Sequence, residues 1–123
     1  MAAAPGGRGA GVSWPIHVTG HLLLLLETSD IAARYTATAA RRLGLSPLFV
    51  CDLSRYQGDT RRQLLSEPSL DAETEDPEVV ADALARAGVR DVFGVTTLAD
   101  VRLETATRLA ARLGVRGLDP VVP

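Results

Sequence analysis

Three short stretches hold the residues of this 123-residue chain that could act chemically. Glu27-Thr28-Ser29-Asp30 offers two carboxylates and two hydroxyls in a row. Asp52-Leu-Ser-Arg55-Tyr56 brings a carboxylate, a hydroxyl, a guanidinium and a phenol, and Thr96-Thr97-Leu-Ala-Asp100 adds two hydroxyls and a carboxylate. Glu27 could receive a ligand amine. The backbone amides at Ser29 and Thr97 could hold an anion, since a helix N-terminus presents unpaired N–H groups and the positive end of its dipole. Taken singly, Ser29 and Thr97 are fully explained as helix caps. Taken together, with Arg55 nearby, the three stretches outline a crevice for a small ligand.

Other reactive residue types lack the company they need. His17 and His21 are four residues apart but lie at a loop–strand junction without a third ligand, so no metal site is expected there. Cys51 sits inside an apolar segment and reads as core. Glu67, Asp71, Glu73, Glu75, Asp76 and Glu78 form an acidic run without calcium-loop spacing, which reads as a solvated loop. No Ser-His-Asp arrangement is legible, because both histidines fall close together with nothing to fix their geometry. Gly7-Arg-Gly-Ala-Gly11 superficially resembles a dinucleotide fingerprint, but no strand precedes it and no helix pattern follows. All thirteen basic residues are arginine. A P-loop lysine and a Schiff-base nucleophile are thereby excluded.

The elements that must position these groups follow from the apolar pattern. Leu22 to Leu26 is a run of five leucines with no polar face, which suits a strand buried on both sides. It could start as early as His17. Glu27 to Asp30 then turns the chain into a helix running to Leu43, with Ile31, Tyr35, Ala39 and Leu43 as its apolar stripe. Leu48 to Asp52 reads as the second strand. From Gln57 to Asp76 the signal is poor, with a short edge strand at Gln63–Ser66 or around Leu70. Pro68 argues against a central strand there. Asp76-Pro77 opens the next helix as cap and first position, with Val80, Ala83, Leu84 and Ala87 inward. Val89 to Val95 reads as a strand. Thr97-Leu-Ala-Asp100 has the form of a capping box opening a helix to Leu113, with Val101, Ala106, Leu109, Ala110 and Leu113 inward. Arg42-Leu-Gly44-Leu, Arg86-Ala-Gly88-Val and Arg112-Leu-Gly114-Val share one helix-exit pattern. Strands alternating with helices predict a three-layer α/β domain: a mostly parallel open sheet of four to five strands, Rossmann-like, with helices on both faces. The three polar stretches should then lie side by side at the carboxyl ends of the strands, where such sheets receive ligands.

Length fits one domain. Residues 1–15, rich in Ala, Gly and Pro, read as a flexible leader, 16–118 as the domain and 119–123 as a linker. Trp14 and Ile16 could pack against the domain edge. A net charge of −2 gives no electrostatic case for nucleic acid or an anionic membrane. No segment is long enough to span a bilayer, and Leu22–Leu26 is too short for a signal sequence. One cysteine permits no internal disulfide, which fits a reducing cytoplasm.

His21-Leu-Leu-Leu-Leu-Leu-Glu27, Ile31-Ala-Ala-Arg34, Ala40-Arg-Arg-Leu-Gly-Leu45, Glu75-Asp-Pro-Glu78 and Gly94-Val-Thr-Thr97 together resemble the N-terminal, pre-ATP-grasp domain of ATP-grasp carboxylate–amine ligases. So does Leu109-Ala-Ala-Arg-Leu-Gly-Val115 followed by Gly117-Leu-Asp-Pro120. The resemblance covers roughly residues 20 to 120. It implies a Rossmann-like accessory domain beside separate domains that clamp ATP and magnesium. It also implies activation of a carboxylate as an acyl-phosphate for attack by an amine. The resemblance places the ATP-clamping lysines in those other domains. This chain would then bind neither ATP nor magnesium alone, would have no catalytic residue of its own, and would need an ATP-grasp catalytic chain in trans. Its contribution would be to hold a small carboxylate or amino acid through Glu27, Thr28, Ser29, Asp30, Arg55, Thr96 and Thr97. An exposed apolar face after Gly114 would favour that role, and a homodimer is a further expectation. Where the family often has a loop glycine, Ser29-Asp30 stands here, which argues against close backbone approach to a ligand. The alternative is a stand-alone small-ligand or protein-interaction module on the same fold.

Overall fold

A computed structural model describes residues 22–117. Four parallel strands, β1 (Leu22–Leu26), β2 (Ser46–Cys51), β3 (Ser69–Asp71) and β4 (Val92–Thr96), form one sheet in the order β3-β2-β1-β4. The helices are α1 (Asp30–Arg42), α2 (Gly58–Leu65), α3 (Pro77–Arg86) and α4 (Leu103–Leu113). Two short 3₁₀ turns, Leu53–Arg55 and Asp100–Arg102, follow β2 and precede α4. This is the α/β sheet with helices on both faces that the alternating pattern predicts. The first three strands step in one direction, and the connection from β3 to β4 then returns past β1. Right-handed crossovers therefore send α1 and α2 to one face and α3 and α4 to the other.

The leucine run divides accordingly. Leu22, Leu24 and Leu26 join Leu48, Val50, Leu70 and Val95 under Val80, Leu84, Ala106 and Leu109 of α3 and α4. Leu25 joins Phe49 and Cys51 under Ala33 and Ala37 of α1 and Leu64 of α2. Each fully buried leucine contributes about 1.5–3 kcal/mol, so β1 alone anchors both cores.

Several local expectations are corrected. Among the described side chains of α1, Ala33, Ala37 and Ala40 are buried, whereas Tyr35 and Leu43 are 70% and 76% exposed. The bulky side chains on this face come from the sheet, and small alanines let the helix approach them. Of the two placements for the edge strand, the one around Leu70 is realised, while Gln63–Ser66 falls at the end of α2. β4 starts at Val92, three residues later than expected. Thr97 opens no helix; a 3₁₀ turn intervenes before Leu103, and Val101 is exposed. The three helix exits do behave alike. Gly44, Gly88 and Gly114 all take positive φ, and the N–H groups of Leu45, Val89 and Val115 each reach back to the carbonyls of Ala40, Leu84 and Ala110. Beyond Gly114, Arg116 pairs with Gly94 in a parallel bridge and stacks over Phe93. Gly94 suits this close approach, since a Cβ would stand 3.0 Å from the Arg116 carbonyl oxygen and crowd it. No apolar face appears at Val115–Gly117. The expectations for residues 1–21, Trp14, Ile16, His17 and His21 included, lie outside the described residues, as do those for residues 118–123.

Candidate functional site

The carboxyl ends of β2, β1 and β4 are neighbours, so the three polar stretches converge on one edge of the sheet as the spacing predicts. The switch point of the topology lies between β1 and β4. The loop after β1 carries Glu27, Thr28 and Ser29; the chain leaving β4 carries Thr96 and Thr97.

Glu27 is the hub of this edge. Its backbone stands in the left-handed region, φ 58, with its N–H bonded to the Val50 carbonyl at 3.0 Å. That conformation is uncommon for a residue with a side chain and marks a strained position. The side chain is buried and turns inward across β2. One carboxylate oxygen, Oε2, accepts the Asp52 N–H at 3.0 Å and the Thr74 hydroxyl. The other, Oε1, accepts the Tyr56 hydroxyl at 2.5 Å. Tyr56 Oη in turn accepts the Thr28 N–H at 2.9 Å, and Thr74 Oγ1 accepts Arg102 Nε at 2.9 Å. The buried Arg102 also donates to the Val101 carbonyl at 3.3 Å and lies 3.8 Å from Glu75. One relay thus joins the segments that follow all four strands.

Thr97 is buried and equally engaged. Its hydroxyl donates to the Leu26 carbonyl at 2.5 Å and accepts the Ala99 N–H at 3.0 Å, which ties the exit of β4 to β1. Thr28 is half-buried, its hydroxyl turned to the Ser29 carbonyl at 3.2 Å. Ser29 is exposed and caps α1 through a long 3.4 Å bond from the Ala32 N–H. Thr96 is half-buried at the end of β4, paired with Leu25 of β1. Asp30 is the first residue of α1. Arg55 stands apart, over the β2–β3 side, 3.5 Å from Asp52 and 3.4 Å from Glu75. Asp71 serves the same side by accepting the Leu53 N–H at 3.0 Å.

The chemistry of the edge follows from this arrangement. Glu27 and Thr97 spend their hydrogen-bonding capacity inside the protein, so their part is to set the loop geometry. Thr28, Ser29 and Thr96 lie along this edge and offer hydroxyls and the start of α1. Burial pushes the Cys51 thiol far above its ordinary range, with the nearby Glu27 charge adding to the effect. The thiol is therefore inert core, as its apolar setting suggests. Tyr56 is raised above the ordinary phenol range first by burial, then by Cys51 and its bond to Glu27. It stays a proton donor to the hub. Among the described residues, no group of three or more His, Cys, Asp or Glu could hold a metal ion, and no helix is long and apolar enough to cross a membrane. An open surface depression of about 230 Å³ among Asp59, Arg62, Gln63 and Ser66 shares no residue with the strand-end stretches.

Sequence reasoning missed Thr74 and Arg102. Thr74 was hidden in the acidic run. Arg102 carried a usable signal, because a cation at the N-terminal end of a helix opposes the dipole and needs partners elsewhere. No protein-family model matches the chain, and neither do curated proteins or solved structures.

Proposed function

We propose that this chain is the substrate-positioning N-terminal domain of an ATP-dependent carboxylate–amine ligase of the ATP-grasp class. A catalytic partner would supply the sites for ATP and magnesium. The observation that carries the reading is the strand order. It sets the loops after β1 and β4 on either side of the switch point, where open α/β sheets take their ligands. The sequence resemblance supplies the class, and the absence of lysine from the chain is consistent with ATP being clamped elsewhere.

In this reading the ligand is an amino acid or another small carboxylate. Its carboxylate faces the first turn of α1 at Ser29, where helix amides and dipole favour negative charge. Thr28 and Thr96 flank it. Glu27 and Thr97 hold the two loops at the separation the ligand needs. Leu98 and Val101, 62% and 77% exposed on the connection after β4, form with Leu103 an apolar rim that a catalytic partner would cover. That rim fits a domain that docks against another chain.

The test is ATP consumption by the purified chain with magnesium and a pool of amino acids, with and without the product of an adjacent gene. Turnover only with the partner, reduced by Ser29→Trp, supports the proposal. Turnover by the chain alone, or none in either case, overturns it.

A further inference from the structure

The three groups that hold Glu27 are not equally committed. The Asp52 N–H and the Thr74 hydroxyl meet Oε2 inside the protein, where breaking either bond leaves a buried polar group without a partner. Tyr56 meets Oε1 on the half-buried outer side, and the same hydroxyl accepts the Thr28 N–H. A phenol that swings away from there finds water. Its mount is firm: Leu53 is buried, its N–H is held by Asp71, and its carbonyl accepts both Arg61 and, at 3.1 Å, the Tyr56 N–H. The loop it holds is lightly tied. Apart from the Tyr56 contact, the side chains of Thr28 and Ser29 make only local bonds among the described residues, of 3.2 and 3.4 Å. Glu27 stands in the left-handed region, so this loop is also held under strain.

We propose that Tyr56 is a latch on the β1–α1 loop and that it covers a binding pair for a hydroxyl group. The pair is an amide donor, the Thr28 N–H, and a carboxylate acceptor, Glu27 Oε1. With the latch closed, the phenol occupies both. Rotation of the Tyr56 side chain opens it and leaves both groups at the carboxyl edge of the sheet, beside the switch point between β1 and β4. Whatever replaces the phenol must do as the phenol does, donating to the carboxylate and accepting from the amide. A hydroxyl does both. An ammonium has no lone pair for the amide, and a carboxylate has no proton for Glu27. Oε2 keeps its bonds to Asp52 and Thr74 while the latch moves, so the opening is local and leaves the rest of the relay in place. The open form is a minor state, on the order of 0.1–10% of molecules, and a hydroxyl ligand enlarges it by binding that form alone. This inference does not depend on the ligase reading.

Native-state hydrogen exchange of the full chain, followed by NMR at low urea concentrations, tests it. In the wild type the Thr28 amide should exchange through a local opening, independent of urea. Its protection should be at least about tenfold lower than that of Leu24 and Leu25 in the buried centre of the sheet. Tyr56→Phe keeps the ring and removes both bonds. It should lower the protection of Thr28 by a further factor of at least about ten, measured against those core amides. In Tyr56→Ala, p-cresol should restore protection at Thr28 in a saturable way, and toluene, which lacks the hydroxyl, should not. Thr28 exchanging in the wild type with the protection and urea dependence of the core amides overturns the latch. So does a Tyr56→Phe variant in which Thr28 is unchanged relative to the core. Protection by both aromatic compounds, or by neither, overturns the hydroxyl pair. Should Tyr56→Ala not fold, the wild-type and Tyr56→Phe rates decide.

Discussion

Removing the Glu27 carboxylate should be among the most damaging single changes in this protein, and the order of three variants tests why. Glu27→Ala leaves two buried donors, the Asp52 N–H and the Thr74 hydroxyl, and the half-buried Tyr56 hydroxyl without their acceptor. Leaving a buried polar group unsatisfied costs about 1–3 kcal/mol, and the hydroxyls recover part of that by rotating. The net loss is about 3–5 kcal/mol. Glu27→Gln keeps an amide oxygen for Asp52 and Thr74 but turns an NH₂ toward Tyr56, whose oxygen already accepts the Thr28 N–H. One donor is then orphaned, for about 1–2 kcal/mol. Glu27→Gly loses every side-chain bond, yet it relieves the left-handed backbone, which favours glycine by roughly 1 kcal/mol. Stability should therefore fall in the order wild type, Gln, Gly, Ala, with glycine above alanine, the reverse of their order in an ordinary helix or strand. Urea titration by circular dichroism, with the m-values compared, measures this. Alanine equal to or better than glycine would refute the strain argument. A loss below about 1 kcal/mol for alanine would refute the buried hub altogether.

Three further outcomes follow from the same physical picture. Phe49→Ala, which empties the centre of the α1–sheet core, should cost about 3–5 kcal/mol in the same titration. Alkali should destabilise the fold through Cys51. Its folded pKa is raised, so above its ordinary value of 9.0 the unfolded chain loses a proton that the folded one keeps. That contribution is intact below about pH 9 and falls by up to about 1.4 kcal/mol per pH unit above it. Cys51→Ala should flatten the decline of melting temperature between about pH 9 and 10.5. Asp76→Ala should cost about 0.5–2 kcal/mol, because the Asp76 side chain accepts the Glu78 N–H at 2.9 Å at the start of α3. Asp76→Asn should largely restore it.

Much of the architecture was legible because it rests on local signals. Five leucines fix the central strand, Asp76-Pro77 starts α3, and three glycines end three helices. The α1 stripe was misread because Tyr35 and Leu43 are larger apolar side chains than the alanines actually buried. Periodicity reports that a face is apolar, not which neighbour it meets. α2 was invisible for the opposite reason: only Leu64 is buried, and Gln57 makes no side-chain cap bond. At the strand ends, the stretches carrying Glu27, Ser29 and Thr96 could be placed together from topology alone. Whether a carboxylate there faces a ligand or the interior depends on residues 25 and 47 positions distant, Asp52 and Thr74, and no local pattern encodes that.

The relay through Glu27, Tyr56, Thr74 and Arg102 also bears on how this fold can diversify. Loops at the strand ends of α/β domains ordinarily vary independently, which is how one scaffold acquires many specificities. Here one buried carboxylate and its partners bind the segments after four strands to each other, so a change in one segment's length or course must be matched in the others. The positions left free to drift are the side chains on the rim, Ser29, Leu98 and Val101. New specificity in descendants of this chain should accumulate at those three positions while the relay beneath them stays fixed.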